Sequence, residues 1–209
     1  MRNHLRFAAY LSVAVAVSSS FAGPREDLLK AVELDTGHQV KALLQQSVDP
    51  NLRDDQGQVP LFLALRAESY KAAAELLNDP RTDVDLANAS GETPLMMAAL
   101  RGNLEWAQRL LDRGAKLNRD GWTPLHYAAS GGEPKLVRLL LERGAVIDAK
   151  SPNGTTPLMM AARYGAIDSA DLLRERGADL ALRNERGLNA ADFAAGAGRD
   201  TLVQRLQTR

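Results

Sequence analysis

GWTPLHYAASGGEPKLVRLLLERGAVID, residues 121–148, is the stretch that decides how this chain folds. Thr123 stands before Pro124, and the pair starts a helix. Threonine is a good N-cap, and proline at the first helical position gives up no N–H that the helix needs. The helix runs over Ala128 and Ala129, side chains small enough for another helix to come close, and Gly132 breaks it. A second helix carries Leu140 and Leu141 inward, and Gly144 stops it with the left-handed backbone that glycine tolerates. Two short helices cannot bury their apolar face alone, so this unit needs copies to stack against.

The copies are present. Gly57, Gly91, Gly121, Gly154 and Gly187 recur at intervals of 34, 30, 33 and 33 residues, a period that marks stacked repeats. Three positions after each comes Pro60, Pro94, Pro124, Pro157 and, last, Ala190. The alanine pair returns as Ala98-Ala99 and Ala161-Ala162, the leucine pair as Leu110-Leu111 and Leu172-Leu173, and the stopping glycine as Gly114 and Gly177. Residues 25–56 read as a first helix pair without its hairpin. Residues 187–209 read as a last pair with Asn-Ala-Ala-Asp in place of Thr-Pro-Leu-His.

On these residues the chain resembles the ankyrin repeat family. The resemblance implies an all-α solenoid of about six stacked helix-turn-helix repeats with finger loops, at approximately 24–56, 57–90, 91–120, 121–153, 154–186 and 187–209. It also implies a non-catalytic module whose finger loops and first helices line a concave surface used for protein partners. Three departures stand out. Repeat two reads Val59-Pro60-Leu61-Phe62 and leaves through NDPRTDVD, residues 78–85, without Gly-Ala. The connection KLNRDG, residues 116–121, is three residues short, so one finger should be clipped. Arg174 stands where Leu111 and Leu141 stand, with its stem expected to pack and its head to reach water.

His126 raises the question of chemistry. A spacing of three on a helix brings it near Thr123, and Ser130 is the other candidate nucleophile. A nucleophile and base also need a third group to orient the base and donors for the developing charge, and the sequence offers neither. The resemblance implies instead that Thr123 and His126 hydrogen-bond to each other and to backbone, fixing the turn. Phe62, Met96 and Met159 take the histidine position in other copies. The catalytic alternative would draw on His126, Tyr164 and Glu92. No metal or cofactor is expected. After residue 22 only His38 and His126 remain as histidines, the chain has no cysteine, and Asp83-Val84-Asp85 lacks the spacing of a calcium loop.

Counting from each repeat glycine places Leu100, Trp122 and Tyr164 on the partner-facing surface, from three adjacent repeats, with Arg66, Arg101, Arg119, Arg163 and Arg186 around them. Trp, Tyr and Arg are the types enriched where binding energy concentrates. Trp106 falls on a second helix, where partial packing is expected. From residue 23 onward there are 24 basic and 26 acidic residues, which argues against nucleic acid as a partner. Arg2 and Arg6, the eleven-residue apolar run from Phe7 to Val17, and Ser20-Phe21-Ala22 have the layout of a secretory signal peptide cut after Ala22. The run is too short to span a bilayer, which takes about 20 residues.

The expected protein is therefore a monomer in the bacterial periplasm, or secreted, not inserted in the membrane, that binds another protein. The alternative is an accessory, protective or immunity-type inhibitor of a toxin or stress enzyme.

Overall fold

The computed structural model describes residues 23–207. The leader expected over residues 1–22 lies outside the described residues. Within them every regular element is an α-helix. Twelve run in order as six pairs: α1 (Pro24–Glu33) with α2 (Gly37–Gln45), α3 (Pro60–Arg66) with α4 (Tyr70–Asn78), α5 (Pro94–Leu100) with α6 (Leu104–Asp112), α7 (Pro124–Ser130) with α8 (Pro134–Glu142), α9 (Pro157–Arg163) with α10 (Ile167–Glu175), and α11 (Ala190–Ala195) with α12 (Asp200–Gln207).

The odd-numbered helices stack side by side along the chain, each touching the next. Their contact surface is small-residue backbone: Ala64, Ala98, Ala99, Ala128, Ala129, Ala161, Ala162 and Ala194 are all buried, interleaved with Leu65, Leu95, Leu125 and Leu158. The even-numbered helices form the outer layer and send Leu76, Leu110, Leu140 and Leu173 inward. No described helix is long and apolar enough to cross a membrane.

The recurring Gly-Ala has a mechanical cause. Gly144 adopts φ 94°, its N–H donates to Leu141 O (3.0 Å), and the Ala145 N–H donates to Leu140 O (2.9 Å). That is a Schellman ending, which satisfies two carbonyls the helix would otherwise leave orphaned. Gly165 serves differently. Its φ is not left-handed, but a Cβ there would stand 1.9 Å from Ala129 O, so only glycine lets α9 end against α7.

A ladder of side chains joins the finger stems. Asn51 Oδ1 accepts the Asp83 N–H (2.8 Å), Asp85 accepts that of Lys116 (2.9 Å), Asn118 that of Val146 (2.9 Å) and Asp148 that of Asp179 (3.1 Å). Asp85, part of the calcium-like triplet, is thus a rung of this ladder. Trp106, expected to pack only in part, is 2% exposed. Its ring stacks on Tyr70 at 5.7 Å, and the Arg109 guanidinium lies 4.1 Å from its centroid. The Arg174 side chain is one-third exposed, with its Nε 3.9 Å from Asp171.

Candidate functional site: the inner face

The inner face is built by the odd-numbered helices and the fingers that precede them. A full-length finger closes as a hairpin. In one, the Ser151 N–H donates to Thr155 O (3.0 Å) and the Gly154 N–H to Ser151 O (2.8 Å), with Asn88 and Asn184 holding the matching turns. Adjacent tips also bond through backbone: Ala89 N–H to Gly57 O (3.1 Å), and Glu185 N–H to Asn153 O (3.0 Å). The clipped finger between Gly114 and Gly121 is joined differently. The Arg119 side chain reaches across and donates to Gly91 O at 2.8 Å.

Beside that finger is a pocket of about 280 Å³ lined by Leu100, Trp122, His126, Tyr127, Ser130 and Met160. Leu100 is 41% exposed, a large fraction for a leucine, and Trp122 is half-buried. The structure therefore brings Leu100 and Trp122 together. Tyr164 does not line the pocket. It stands at the end of α9, 61% exposed, with the Arg163 guanidinium 5.3 Å from its ring centroid.

The arginines divide. Arg101 donates to Arg66 O (2.6 Å), capping α3 from the next repeat, and lies 3.7 Å from Glu68. A cation at a helix C-terminus is favoured by the macrodipole. Arg119 is held by Gly91 O as described. Arg66 lies over Phe62 at 6.0 Å, and Arg186 is exposed at the last finger. Arg101 and Arg119 thus serve the scaffold as well as the surface, which the sequence alone did not disclose.

His126 is fully buried. Its Nδ1 accepts the Thr123 backbone N–H at 3.1 Å and lies 2.9 Å from Thr123 Oγ1, while Nε2 meets Thr155 O at 3.0 Å. An acceptor Nδ1 fixes the proton on Nε2, so both nitrogens are engaged and the ring is neutral. Burial pushes its pKa below the ordinary value, against the pull of the Thr155 carbonyl. In two other repeats a methionine sulfur does part of the same work: the Thr93 N–H meets Met96 Sδ, and the Thr156 N–H meets Met159 Sδ, each at 3.4 Å. Glu92 is bonded to other groups. It accepts from the Tyr127 hydroxyl (3.0 Å) and from Asn88 Nδ2 (2.9 Å), which also donates to Gln58 (3.0 Å). This relay links three repeats. Burial, together with the Glu92 carboxylate, pushes the Tyr127 phenol up to about 12.

Among the described residues no cluster of three or more His, Cys, Asp or Glu side chains could hold a metal ion.

Stacked helix pairs with hairpin fingers, a Thr-Pro cap and a Gly-Ala stop define a class of helical solenoid. The comparisons fix which. The family model for ankyrin repeats (3 copies) matches residues 28–120, 74–151 and 117–184, and the chain belongs to the ankyrin repeat family. Ankyrin repeats are protein-interaction modules and generally non-catalytic.

Among curated relatives, ankyrin repeat and SAM domain-containing protein 6 of Danio rerio is 36% identical over 35% of this chain, which spans 10% of that protein. The human transient receptor potential cation channel subfamily A member 1 is 35% identical over 41% of this chain and 8% of its own length. A probable E3 ubiquitin-protein ligase of Oryza sativa is 36% identical over 44% and 21%. The chain thus matches only a small part of each.

A solved structure agrees over far more of the chain: a predatory endopeptidase from Bdellovibrio bacteriovorus in complex with an immunity protein. The matching chain aligns with a TM-score of 0.74 and 29% identity, over 87% of this chain and 97% of its own length.

Proposed function

We propose that this chain is a non-catalytic binding protein that captures a partner protein on its inner face and restrains an enzyme, as an immunity protein does. The observation that carries the reading is the likeness, over nearly the whole length of both chains, to a chain from an endopeptidase–immunity protein complex. The inner face supports it: Leu100 and Trp122 expose apolar surface together, and clustered apolar exposure is what distinguishes an interaction site from scattered surface leucines. The engaged nitrogens of His126 support a non-catalytic role. The leader-like residues 1–22 favour the bacterial envelope as the place of this encounter, with the chain acting as a monomer.

A photo-crosslinking residue at position 122, compared with one at position 138 on the outer helix α8, tests the reading. Position 122 should yield one discrete product, position 138 none, and the captured enzyme should lose activity when the chain is added in equimolar amount. Trp122→Ala should weaken that complex by about 2 kcal/mol, roughly thirtyfold. A partner with undiminished activity would remove the inhibitory role, and equal crosslinking from both positions would remove the inner face.

A further inference from the structure

We propose that Asn153 is a site of spontaneous deamidation, the slow exchange of its side-chain amide for a carboxylate, and that the hairpin of its own finger gates the reaction. The inference stands apart from the identity of any partner.

Asn153 owes its position to an exchange within the repeat. In three fingers the turn opens on Asp54, Asn88 or Asn184. One side-chain oxygen there receives two backbone N–H groups, from two and four residues on: Gln56 and Gln58 (2.9 and 2.7 Å), Ser90 and Glu92 (both 2.9 Å), Arg186 and Leu188 (3.0 and 3.1 Å). In the finger between Gly144 and Gly154 the same position is Ser151. Its hydroxyl oxygen receives the Thr155 N–H (3.0 Å) and donates to Asn153 Oδ1 (2.7 Å), which lies 3.2 Å from that same N–H. The amide side chain has thus moved two residues along. Asn88 and Asn184 are buried, whereas Asn153 is exposed at the tip. There it precedes Gly154, the one Asn-Gly pair in the sequence.

The chemistry follows from that pair. A backbone nitrogen that has given its proton to base adds to Cγ of the asparagine before it. The bond from Cγ to the side-chain nitrogen breaks, ammonia leaves, and a five-membered imide joins residues 153 and 154. Water then opens the ring at either carbonyl. One opening leaves aspartate. The other leaves isoaspartate, with the main chain running through Cβ and Cγ. Water enters and ammonia departs, with no change of oxidation state. Glycine puts no side chain in the way of ring closure, and every other asparagine of the chain is followed by a residue that does.

The folded finger holds both atoms that must meet. The Gly154 N–H donates to Ser151 O at 2.8 Å, which shields the nucleophile's proton from base. The carboxamide is tied through Oδ1 to Ser151 and Thr155, and Asn153 O receives the Glu185 N–H of the next finger (3.0 Å). Ring closure turns the side chain back onto its own main chain, and each of these bonds opposes that turn. Reaction therefore waits for the finger to open, at a rate set by the open fraction. Isoaspartate adds one main-chain carbon between Ser151 and Thr155, the residues that close this hairpin, so a modified finger does not reclose on the same bonds.

Protein held at pH 8 and 37 °C tests this. Mass spectrometry follows the tryptic peptide 151–163, in which Asn153 is the one asparagine. The same chain unfolded in guanidinium chloride sets the ungated rate, and the folded protein should convert at least about tenfold more slowly. Ser151→Ala removes a donor from Asn153 Oδ1 and should raise the folded rate about fivefold, the effect of one hydrogen bond on the open fraction. Arg119→Ala loosens a different finger and should leave the rate as it is. Protein carrying isoaspartate should unfold at lower urea than Asn153→Asp, which gains the charge without the added carbon. Equal rates in the folded and unfolded chain, or in Ser151→Ala and the parent, would overturn the gate. Earlier conversion at another asparagine would overturn the site, and matching urea midpoints would overturn the effect assigned to the added carbon.

Discussion

Repeat four sits between two unlike junctions. Toward repeat five, the finger between Gly144 and Gly154 is full length, its hairpin closes, and Thr155 O receives both the Ser151 N–H and His126 Nε2. Backbone also crosses directly, Ala166 N–H to Gly131 O at 3.3 Å, where Gly165 lets α9 end against α7. Toward repeat three, the finger is short, and its tip is tied to the preceding finger at Gly91 O by an exposed guanidinium. The first junction is stitched by buried groups that water cannot replace. Across the second, beside the packing of α5 on α7 and the part-buried Tyr127–Glu92 bond, the finger itself is held by a long, solvated side chain, and the surface it leaves uncovered is the one we propose for a partner. Stability and accessibility are thus traded across a single helix, α7.

The strongest way to break that comparison is His126→Met, which installs the residue repeats three and five already use. Methionine can still accept the Thr123 N–H through sulfur, as Met96 does for Thr93. The bond to Thr155 O is lost, and because that carbonyl keeps Ser151 the cost should be about 1 kcal/mol at pH 7.5. The pH dependence separates this from simple repacking. The folded histidine pKa lies below its ordinary value of 6.5, so the stability it contributes is present above that value and falls as the pH drops below it, where the unfolded chain takes up a proton first. Methionine has no such dependence. Urea melts at pH 7.5 and pH 5 should show the gap between the two proteins narrowing in acid. A gap that stays constant would mean that His126 is not held neutral in the fold.

Much of this architecture was legible because it is written in local chemistry. Thr-Pro before an alanine pair, Gly-Ala after a leucine pair and a finger three residues short are all statements about neighbours in sequence, and each has its physical counterpart here. What escaped was written across repeats. The acceptor for His126 Nε2 is a backbone carbonyl 29 residues away, and carbonyls carry no letter in the sequence. An arginine on a finger looks the same whether it faces solvent or, like Arg119 and Arg101, a neighbouring carbonyl. Trp106 is buried because Tyr70, in the preceding repeat, stacks on it. The pocket was half visible: Leu100, Trp122 and Ser130 came from counting positions, but Met160 and Tyr127 enter only through the way the repeats stack. The stem ladder did leave a trace. The fourth residue after the stopping glycine is Asn118, then Asp148, and each accepts the amide of the next stem.

Arg119→Ala sharpens the other half of the comparison. The guanidinium is exposed and its bond is open to water, so the loss in global stability should be below about 1 kcal/mol. The effect should be local. Amide exchange should quicken in the clipped finger around Trp122 and stay unchanged in the full-length finger around Thr155. If Arg119→Ala destabilises the chain more than His126→Met does, the two junctions are not stitched as unequally as their burial indicates.

The smallest effect expected has the opposite sign. Asn118 and Asp148 occupy the same rung of the stem ladder on the two fingers, each accepting an amide from the next repeat. Asparagine does so without charge. The Asp148 carboxyl is pushed above its ordinary pKa, first by burial and further by the Asp179 carboxylate, with the Asp179 amide and Lys150 only partly opposing. Its charged form is therefore disfavoured in the fold, a penalty present above the folded pKa and absent once the pH falls below the unfolded one. Asp148→Asn keeps the amide acceptor and removes the penalty, so it should raise stability at neutral pH, by an amount that solvent screening of this partly exposed group holds below about 1 kcal/mol. The gain should vanish near pH 3, where the aspartate is protonated in both states. The reciprocal change, Asn118→Asp, should lower stability at pH 7, chiefly because it loses the Asn118 Nδ2 donation to Gly144 O (3.0 Å). Paired denaturation curves at the two pH values measure both, and a gain from Asp148→Asn that persists into acid would show that shape rather than charge distinguishes the two rungs.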